Sequence, residues 1–319
     1  MNIDAVRALE PTFWRAPSAH NTQPWTLTYH ADHIEVGWDP ERTLPEGDSD
    51  ARDLLLSLGA FVEGCLIACA GAGLAITFEP DRGAHRVGRL VAAALPYETP
   101  YTIGDLHRRR THRGAFHPTP LNRALRCRLL GIARAAGAEL RFLPCDSADP
   151  LVRRADRWLF GTAPVVRELR DWLRLSTRHP RYRHDGLTAA ALHLSPGQAR
   201  GLRLALAGYP ALRPLGLARV LAAQGGIAGA GELFVLIADP DDPLAAGRAL
   251  LRIWLELTRH GHATHPLSQV IDCAATRDEL AGLLGVAPER TLHLARAGQP
   301  ASPPAPSFRR DFRSSVKLG

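Results

Sequence analysis

The sequence lacks the patterns that mark several common classes of protein. Its five cysteines include no Cys-x-x-Cys pair, so neither a zinc site nor a redox disulfide of that spacing is predicted. No Gly-x-Gly-x-x-Gly follows a predicted strand and no P-loop is present, which argues against a Rossmann domain for NAD. No nucleic-acid motif accompanies the net charge of +7, and the arginines that carry it are scattered along predicted helices. We therefore expect no nucleic-acid partner.

Targeting and membrane signals are also missing. The N-terminus has neither a basic segment nor a long apolar run, so no signal peptide is predicted. We expect no stretch to cross a bilayer, because none reaches the required length of about 20 apolar residues. These absences predict a cytoplasmic, reduced setting without a membrane partner. At 319 residues the chain can form one large domain or two modest ones, and its surplus of arginine favours anionic ligands.

Periodic runs of apolar residues predict both strands and helices. The segments 25–29 and 34–38 alternate and predict a hairpin, and an apolar stripe from about Ala51 to Ala70 predicts a long core helix. The other predicted strands are 75–79, 87–94, 139–143, 232–238 and 291–296, and the other predicted helices are about 121–136, 147–176 with a break near Gly161, 196–207, 244–260 and 277–284. The tail at 299–319 has no apolar period and is expected either to be disordered or to lie across a surface.

Two features divide the chain. A composition change near residue 100 predicts a boundary between residues 1–104 and 105–319, with a possible lid at 177–230, where proline and glycine break the helical pattern. A weak internal repeat favours a duplicated unit. It consists of glycines that bracket two predicted helices at the same separation of fourteen residues: Gly59 with Gly73, and Gly247 with Gly261.

A polar loop lies between Pro17 and Pro24, immediately before the first predicted strand. The two prolines fix φ and remove backbone donors, so a stiff, extended loop is predicted. The side chains between them offer both donors and acceptors, which suits a ligand rich in heteroatoms, such as the edge of a heterocycle. An ordinary turn with hydroxyl and amide caps is the alternative. The polar residues of this loop are Ser18, His20, Asn21, Thr22 and Gln23.

The run Pro-Ser-Ala-His-Asn-Thr-Gln-Pro-Trp at 17–25 resembles the signature loop of the flavin-dependent nitroreductases. More narrowly, it resembles their long, internally duplicated Acg-like subgroup. The resemblance implies an α+β, nitroreductase-like fold with two fused halves, each a mostly antiparallel sheet packed by helices, in a monomer that acts as an internal pseudo-dimer. It also implies FMN as the cofactor, with Ser18, Asn21 and Gln23 lying against the isoalloxazine ring or the ribityl chain.

A basic segment that follows the predicted boundary is a candidate phosphate site. Arginine binds phosphate bidentately and a neighbouring hydroxyl adds a contact, although a solvated basic turn is the alternative. The segment resembles the Arg-x-Ser/Thr-x-Arg element that grips the FMN phosphate in nitroreductases, which nominates Arg109, Thr111 and Arg113. Basic residues near the C-terminus close the phosphate site in that family, which nominates Arg309 and Arg310. A disordered basic tail is the alternative for this pair.

The segment 260–269 contains three histidines within six residues. A metal site is not predicted there, because no acid or cysteine cluster is nearby and the helix is expected to end between the histidines. The Pro-Leu-x-Gln that follows resembles the nitroreductase segment whose backbone passes the N5 edge of the flavin. The resemblance nominates Leu267, Ser268 and Gln269 as residues whose N–H groups stabilise charge on the flavin.

The resemblance implies an FMN-dependent oxidoreductase. It would pass hydride from NAD(P)H through flavin N5 to an electron-poor small molecule, such as a nitro compound or a quinone. The flavin carries the chemistry, so no protein acid or base is nominated. Two alternatives stay open: a protein that holds FMN under a lid at 177–230 without turnover, and a basic interaction protein without a cofactor.

Overall fold

Strands and helices make up most of the computed structural model, which describes residues 1–223, 227 and 230–310 and the backbone of 316–318. The strands are β1 (Trp25–Tyr29), β2 (His33–Trp38), β3 (Ile76–Gly83), β4 (Arg86–Ala92), β5 (Glu139–Pro144), β6 (Leu173–Arg174), β7 (Leu187–Thr188), β8 (Glu232–Ile237), β9 (Ala263–Pro266), β10 (Thr291–Gly298) and β11 (Val316–Leu318). The helices are α1 (Ile3–Arg7), α2 (Glu10–Phe13), α3 (Arg52–Gly71), α4 (Ile103–Arg108), α5 (Arg123–Ala135), α6 (Cys145–Gly161), α7 (Ala163–Trp172), α8 (Pro196–Ala207), α9 (Tyr209–Leu212), α10 (Leu217–Ala223), α11 (Pro243–Arg259), α12 (Gln269–Asp272) and α13 (Ala274–Leu284).

Two sheets with the same strand order form the frame. The first has the order β1-β2-β4-β3 and the second has the order β5-β8-β10-β9, and every neighbouring pair within these orders is antiparallel. β11 extends the first sheet by pairing in parallel with β1. A separate two-stranded sheet joins β6 to β7. The predicted α+β fold, with mostly antiparallel sheets packed by helices, is confirmed.

The long helices α3 and α11 pack directly against each other between the two sheets, and glycine makes the crossing possible. A Cβ placed on Gly59 would lie 2.0 Å from the carbonyl oxygen of Leu244, and one placed on Gly247 would lie 2.2 Å from that of Leu56. Leu244 lies three positions before Gly247, and Leu56 lies three positions before Gly59, so each glycine contacts the equivalent position of the other helix. This reciprocity is the relation that an internal two-fold axis would produce. The duplication itself stays a prediction.

The composition of α3 reflects its position in the core. Most of its residues are buried, and its apolar side chains form a cluster with those of the first sheet and of α11. By length and composition α3 could cross a membrane, contrary to the expectation from the sequence, but 78% of its most apolar window is buried inside the protein. A buried core helix has the same composition, so this feature by itself says little about a membrane.

Most predicted elements occur close to their predicted bounds. β1 and α8 have the predicted bounds, and the break near Gly161 separates α6 from α7. The strand β9 and the short helices α1, α2, α4 and α12 were not predicted. The proposed boundary at 104/105 falls within α4 and remains a prediction, as does the lid at 177–230, of which residues 224–226 and 228–229 lie outside the described part of the chain.

Candidate functional site

A cavity of about 340 Å³ lies beside the crossing of α3 and α11. Its volume is in the range of ligand pockets, which is about 300–1,000 Å³. Residues of both long helices form the floor, and the polar loop at 17–21 forms one side. The other walls come from the segments 44–48, 109–113, 158–169, 186–192, 265–272 and 305–309. The tail was expected either to be disordered or to lie across a surface, and its residues 305–309 lie across this site.

The polar loop is not extended, contrary to prediction. Residues Ala19–Asn21 form a turn of 3₁₀ helix, and His20, Asn21 and Gln23 have positive φ angles of 47°, 55° and 52°. The left-handed region costs a residue with a Cβ about 1–2 kcal/mol. A hydrogen bond from the Gln23 N–H to the Ser18 hydroxyl, at 2.9 Å, closes the loop and compensates part of that cost. The two prolines limit only the ends of the loop, so they do not extend its centre.

Asn21 joins three walls of the cavity through its side chain. Its amide nitrogen donates to the carbonyl oxygens of Gly186 and Phe308, both at 3.2 Å, and its amide oxygen accepts from Nη1 of Arg309 at 3.1 Å. The guanidinium of Arg309 also donates to the carbonyl oxygens of Trp14 and Arg15. The predicted residues Asn21 and Arg309 are therefore brought together, and both line the cavity.

Gln23 and Arg310 do not line the cavity, although both were predicted to bind the cofactor. The Gln23 side chain is fully buried, donates to the carbonyl oxygen of His184 at 2.8 Å and accepts from the N–H of Arg310 at 2.9 Å. The contacts of Gln23 therefore fix the loop, the segment around residue 184 and the C-terminal segment relative to one another. In this structure Gln23 is a positioning residue.

Four arginines lie close together beside the cavity, and two of them, Arg109 and Arg309, line it. Arg109 is buried, and no carboxylate among the described residues lies within ion-pair distance of any of the four. Burial and the neighbouring guanidinium groups lower the pKa of Arg109 to about 9. Nη1 of Arg109 and Nε of Arg15 are buried without a hydrogen-bond partner among the described residues. Unpaired buried cations of this kind indicate an anionic ligand. The four residues, called the arginine cluster below, are Arg15, Arg109, Arg110 and Arg309.

The other two residues of the predicted phosphate element are Thr111 and Arg113. Thr111 forms a parallel bridge with Thr264 of β9. Both Thr111 and Arg113 line the cavity. Burial lowers the pKa of Arg113 to about 10. The pKa values of His20 and His265 are lowered mainly by burial and in addition by the nearby Arg113 charge. Arg113 therefore places a positive charge inside the cavity, apart from the arginine cluster.

The three predicted backbone donors at 267–269 divide into two groups. The N–H of Leu267 donates to the carbonyl oxygen of Leu294 at 2.9 Å, and its side chain is buried in the core, so Leu267 cannot serve a ligand. Ser268 and Gln269 line the cavity, and no described residue accepts a hydrogen bond from their N–H groups. The Gln269 side chain donates to Asp156 at 3.2 Å, which fixes its direction.

An acidic group at the other end of the cavity was not predicted. Nη2 of Arg52 donates to Asp53 at 2.9 Å and to Asp272 at 2.7 Å. Asp48 accepts from the N–H groups of Asp53 and Leu54 at 2.9 and 2.8 Å and so caps α3. Burial raises the pKa of Asp48 to about 7 and that of Asp272 well above its usual range. Burial acts in the same direction on Asp53, but Arg52, His293 and Ser268 together outweigh it and lower the pKa of that carboxyl. We call Asp48, Asp53 and Asp272 the acidic cluster.

His293 lies beside the acidic cluster and also lines the cavity. It is 5% exposed, burial lowers its pKa to about 4, and its Nε2 has no partner among the described residues. The residues that meet here come from parts of the chain that are more than 200 positions apart. No local sequence pattern connects Asp48 with Asp272 or His293.

The histidines at 260–265 do not converge. His260 hydrogen-bonds the carbonyl oxygen of Glu256 at 2.9 Å, whereas His265 lines the cavity. Within the described ranges, the one group of His, Cys, Asp or Glu side chains with ligand atoms close enough to share a metal ion is His30, His33 and Glu35. That group lies on the β1–β2 hairpin, apart from the cavity lining.

The fold is α+β, and the cavity has buried arginines on one of its walls. No family model matches the chain. It is 28% identical, over 99% of its length and 92% of the relative, to "Putative NAD(P)H nitroreductase Rv3131" of Mycobacterium tuberculosis (strain ATCC 25618 / H37Rv). A second protein of that strain, "Putative NAD(P)H nitroreductase acg", is 27% identical over 38% of each chain. The solved structure of the FMN and NADPH-dependent nitroreductase NfnB from sphigopyxis sp. strain HMH aligns with a TM-score of 0.39 and 19% identity, over 68% of this chain and 97% of that one. The curated relatives confirm the predicted resemblance to the nitroreductases, Acg included.

Proposed function

We propose that the chain is an FMN-dependent oxidoreductase of the nitroreductase type. It takes reducing equivalents from NAD(P)H and delivers them to an electron-poor small molecule, such as a nitro compound or a quinone. The observation that carries the proposal is the arginine cluster, for which the described part of the chain provides no acidic partner and of which Arg109 and Arg309 line a cavity that both long helices build. The names of the curated relatives support the same class of reaction.

The residues present fit FMN. The arginine cluster offers positive charge for the phosphate, which carries a double negative charge, and Nη1 of Arg109 has no hydrogen-bond partner among the described residues. Ser268 and Gln269 offer free N–H groups, and Arg113 offers a positive charge, to a polar ring edge. Leu56, Leu250 and Trp254 provide apolar surface for a flat ring system, as ligand pockets generally do. FMN, when bound, supplies the hydride chemistry.

The chain itself orients the ligand and excludes water. The hydrogen bonds of Asn21 to the carbonyl oxygens of Gly186 and Phe308 hold two walls together. Gln23 bonds the same two segments outside the cavity lining, at the His184 carbonyl oxygen and the Arg310 N–H. Because these contacts exist within the folded chain, the binding groups are fixed before the ligand arrives. Preorganised cations and N–H groups are worth more in such a dry site than in water.

Anaerobic titration with NADPH and with NADH tests the proposal. The flavin-loaded protein is expected to lose its visible absorbance with at least one of the two nucleotides and to regain it when a nitroaromatic compound or a quinone is added. A protein that purifies without flavin and binds no added FMN would contradict the proposal. In that case a role as a basic interaction protein would gain support.

A flavin-holding function is the second candidate, and one observation favours it. The segments 186–192 and 305–309 both lie over the cavity, and Asn21 ties them together. A covered ring would be protected from hydride exchange. Absorbance that is lost with dithionite, but with neither nucleotide, would favour this second function over turnover.

A further inference from the structure

The acidic cluster has more carboxyl groups than neighbouring cations. Three carboxyl groups surround one guanidinium, since Asp53 and Asp272 both accept from the same nitrogen of Arg52, at 2.9 and 2.7 Å, and Asp48 caps the same turn of α3. The side chain of Asp272 is 15% exposed and that of Arg52 is 5% exposed, so water screens these charges little. Two carboxylates that share one cation in a buried site cannot both stay ionised at low cost, and one of them keeps a proton.

A second observation points to a ligand at this part of the cavity. His293 is 5% exposed, lines the cavity and has a buried Nε2 without a partner among the described residues. A buried polar nitrogen of this kind destabilises the folded protein if nothing bonds it. Asp272 and Asp53 line the same end, so a ligand that reaches Nε2 of His293 also lies near the carboxyl groups.

We propose that Asp272 donates the proton that the electron acceptor needs during its reduction, and that the acidic cluster with His293 forms the subsite for the acceptor's nitrogen or oxygen atom. The inference rests on the proposed function. In the step, the acceptor receives two electrons as hydride that derive from NAD(P)H. The O–H bond of Asp272 breaks, and a bond from that proton to the acceptor's nitrogen or oxygen forms. Water later returns a proton to the Asp272 carboxylate.

Arg52 makes the donation favourable. The carboxylate that remains on Asp272 is already 2.7 Å from the guanidinium, so its charge is stabilised as it appears. The pKa values agree with this assignment, since burial raises the pKa of Asp272 and the Arg52 charge opposes that rise.

Several other charged or titratable groups face this site. Asp48 and Asp53 come from the start of α3, His293 from β10 and Asp156 from α6, through Gln269. Asp50 and Arg277 form an exposed pair, at 3.4 Å, outside the cavity. Among these groups Asp272 combines a place in the cavity lining with a raised pKa and a direct bond to Arg52, which selects it as the donor.

Infrared spectroscopy tests the proton directly, without turnover. The wild-type protein is expected to show the C=O stretching band of a protonated carboxylic acid, which shifts in D₂O. The band should lose intensity in Asp272→Asn and keep its intensity in Asp50→Asn, a control that removes a nearby carboxylate outside the cavity; any band left in Asp272→Asn belongs to other buried carboxyl groups, such as Asp48 with its pKa of about 7. A wild-type protein without the band, or a band of unchanged intensity in Asp272→Asn, would overturn the assignment.

Rapid kinetics of the two half-reactions test the donation. Loss of a general acid typically costs about 10²–10⁴-fold. Asp272→Asn should therefore slow reoxidation by the acceptor by that factor and leave reduction by NAD(P)H within about two-fold of wild type. Asp272→Glu should restore part of the rate, and the wild-type reoxidation rate should fall at alkaline pH while that of Asp272→Asn stays flat. Equal reoxidation rates in Asp272→Asn and wild type would overturn the inference alone. A wild-type protein that neither nucleotide reduces would overturn the proposed function, and the donor role with it.

Discussion

At the scale of single residues, a bound anion would stabilise the arginine cluster. Its guanidinium groups repel one another and are partly desolvated, and this combination lowers their pKa values. A bound phosphate would reverse both effects, because hydrogen bonds to a charged group are worth about 1.5–3 kcal/mol each. The residues whose charges destabilise the ligand-free protein are therefore the residues that would give the anion its affinity.

Arg109→Ala should weaken FMN binding by about 10–100-fold, since each 1.4 kcal/mol changes affinity tenfold. The free energy of unfolding of the flavin-free protein should change little, because removal of an unpaired buried charge offsets the loss of the hydrogen bond to the Arg15 carbonyl oxygen and of the contact with the Trp254 ring. Quenching of flavin fluorescence and urea unfolding measure the two effects. Arg123→Ala, at an exposed position of α5, is the matched control and should change neither. Unchanged FMN affinity in Arg109→Ala would rule out this role of the arginine cluster.

His293 gives stability a pH dependence of known sign. Its pKa in the folded protein is about 4, below the value of 6.5 for an unperturbed histidine, because burial disfavours the charged ring. Its contribution is therefore complete above about pH 6.5 and is lost as the pH falls toward 4. Between about pH 7.5 and pH 5, wild type should lose about 2 kcal/mol more than His293→Gln. Urea unfolding of the flavin-free proteins at both pH values measures the difference, and equal losses would contradict it.

Sequence reasoning located part of the site and missed the rest for physical reasons. The loop and the basic segment were visible because their residues are contiguous, and the structure brings Asn21, Arg109 and Arg309 into one cavity. Leu267 was misjudged because only the pairing of β9 and β10 shows that its N–H is already occupied. Asp272 was missed because its raised pKa depends on residues more than 200 positions away.

At the scale of elements, the packing of α3 against α11 sets the width of the cavity. Hydrophobic periodicity predicted both helices to within a residue or two, because a 3.6-residue stripe is a local property. The distance between them depends on Gly59 and Gly247, which the sequence showed only as part of a weak repeat. The structure shows why glycine occupies these positions: the partner backbone is too close for any side chain.

Gly59→Ala should destabilise the protein by about 1–3 kcal/mol, the usual cost of overpacking. The added Cβ would meet the Leu244 carbonyl oxygen at 2.0 Å, so backbone has to move. Gly131→Ala is the control: it changes glycine to alanine within α5, where nothing lies within 4 Å, and should raise stability by about 0.5–1 kcal/mol. Chemical denaturation compares the two variants. A neutral Gly59→Ala would show that the helices can separate without cost.

At the scale of the whole molecule, the two sides of the helix pair differ although the frame is nearly symmetric. The cavity side carries Leu56 and Ala60 of α3 with Leu250 and Trp254 of α11. A shift of 188 residues, the separation of Gly59 and Gly247, gives the equivalent positions on the opposite side: Leu244, Arg248, Val62 and Leu66.

The opposite side is filled rather than open. Val62, Leu66 and Leu244 belong to the hydrophobic core, and Arg248 pairs at 2.9 Å with Glu63, which is fully buried. Glu63 also accepts from the hydroxyl of Tyr97 at 2.7 Å. These contacts occupy the space in which a second, symmetry-related ligand would lie. The face of the helix pair opposite the cavity therefore contributes to stability through its packing and its ion pair.

We expect a monomer that binds about one FMN per chain, because both halves contribute walls to a single cavity and the equivalent face is packed. Light scattering after size exclusion gives the mass, and the ratio of flavin to protein absorbance in reconstituted samples gives the stoichiometry. If the site needed a second chain, dilution to the monomer would release the flavin. A saturated ratio near two, or flavin loss that follows dissociation of a dimer, would contradict the internal pseudo-dimer, whereas a constant ratio near one across dilution would support it.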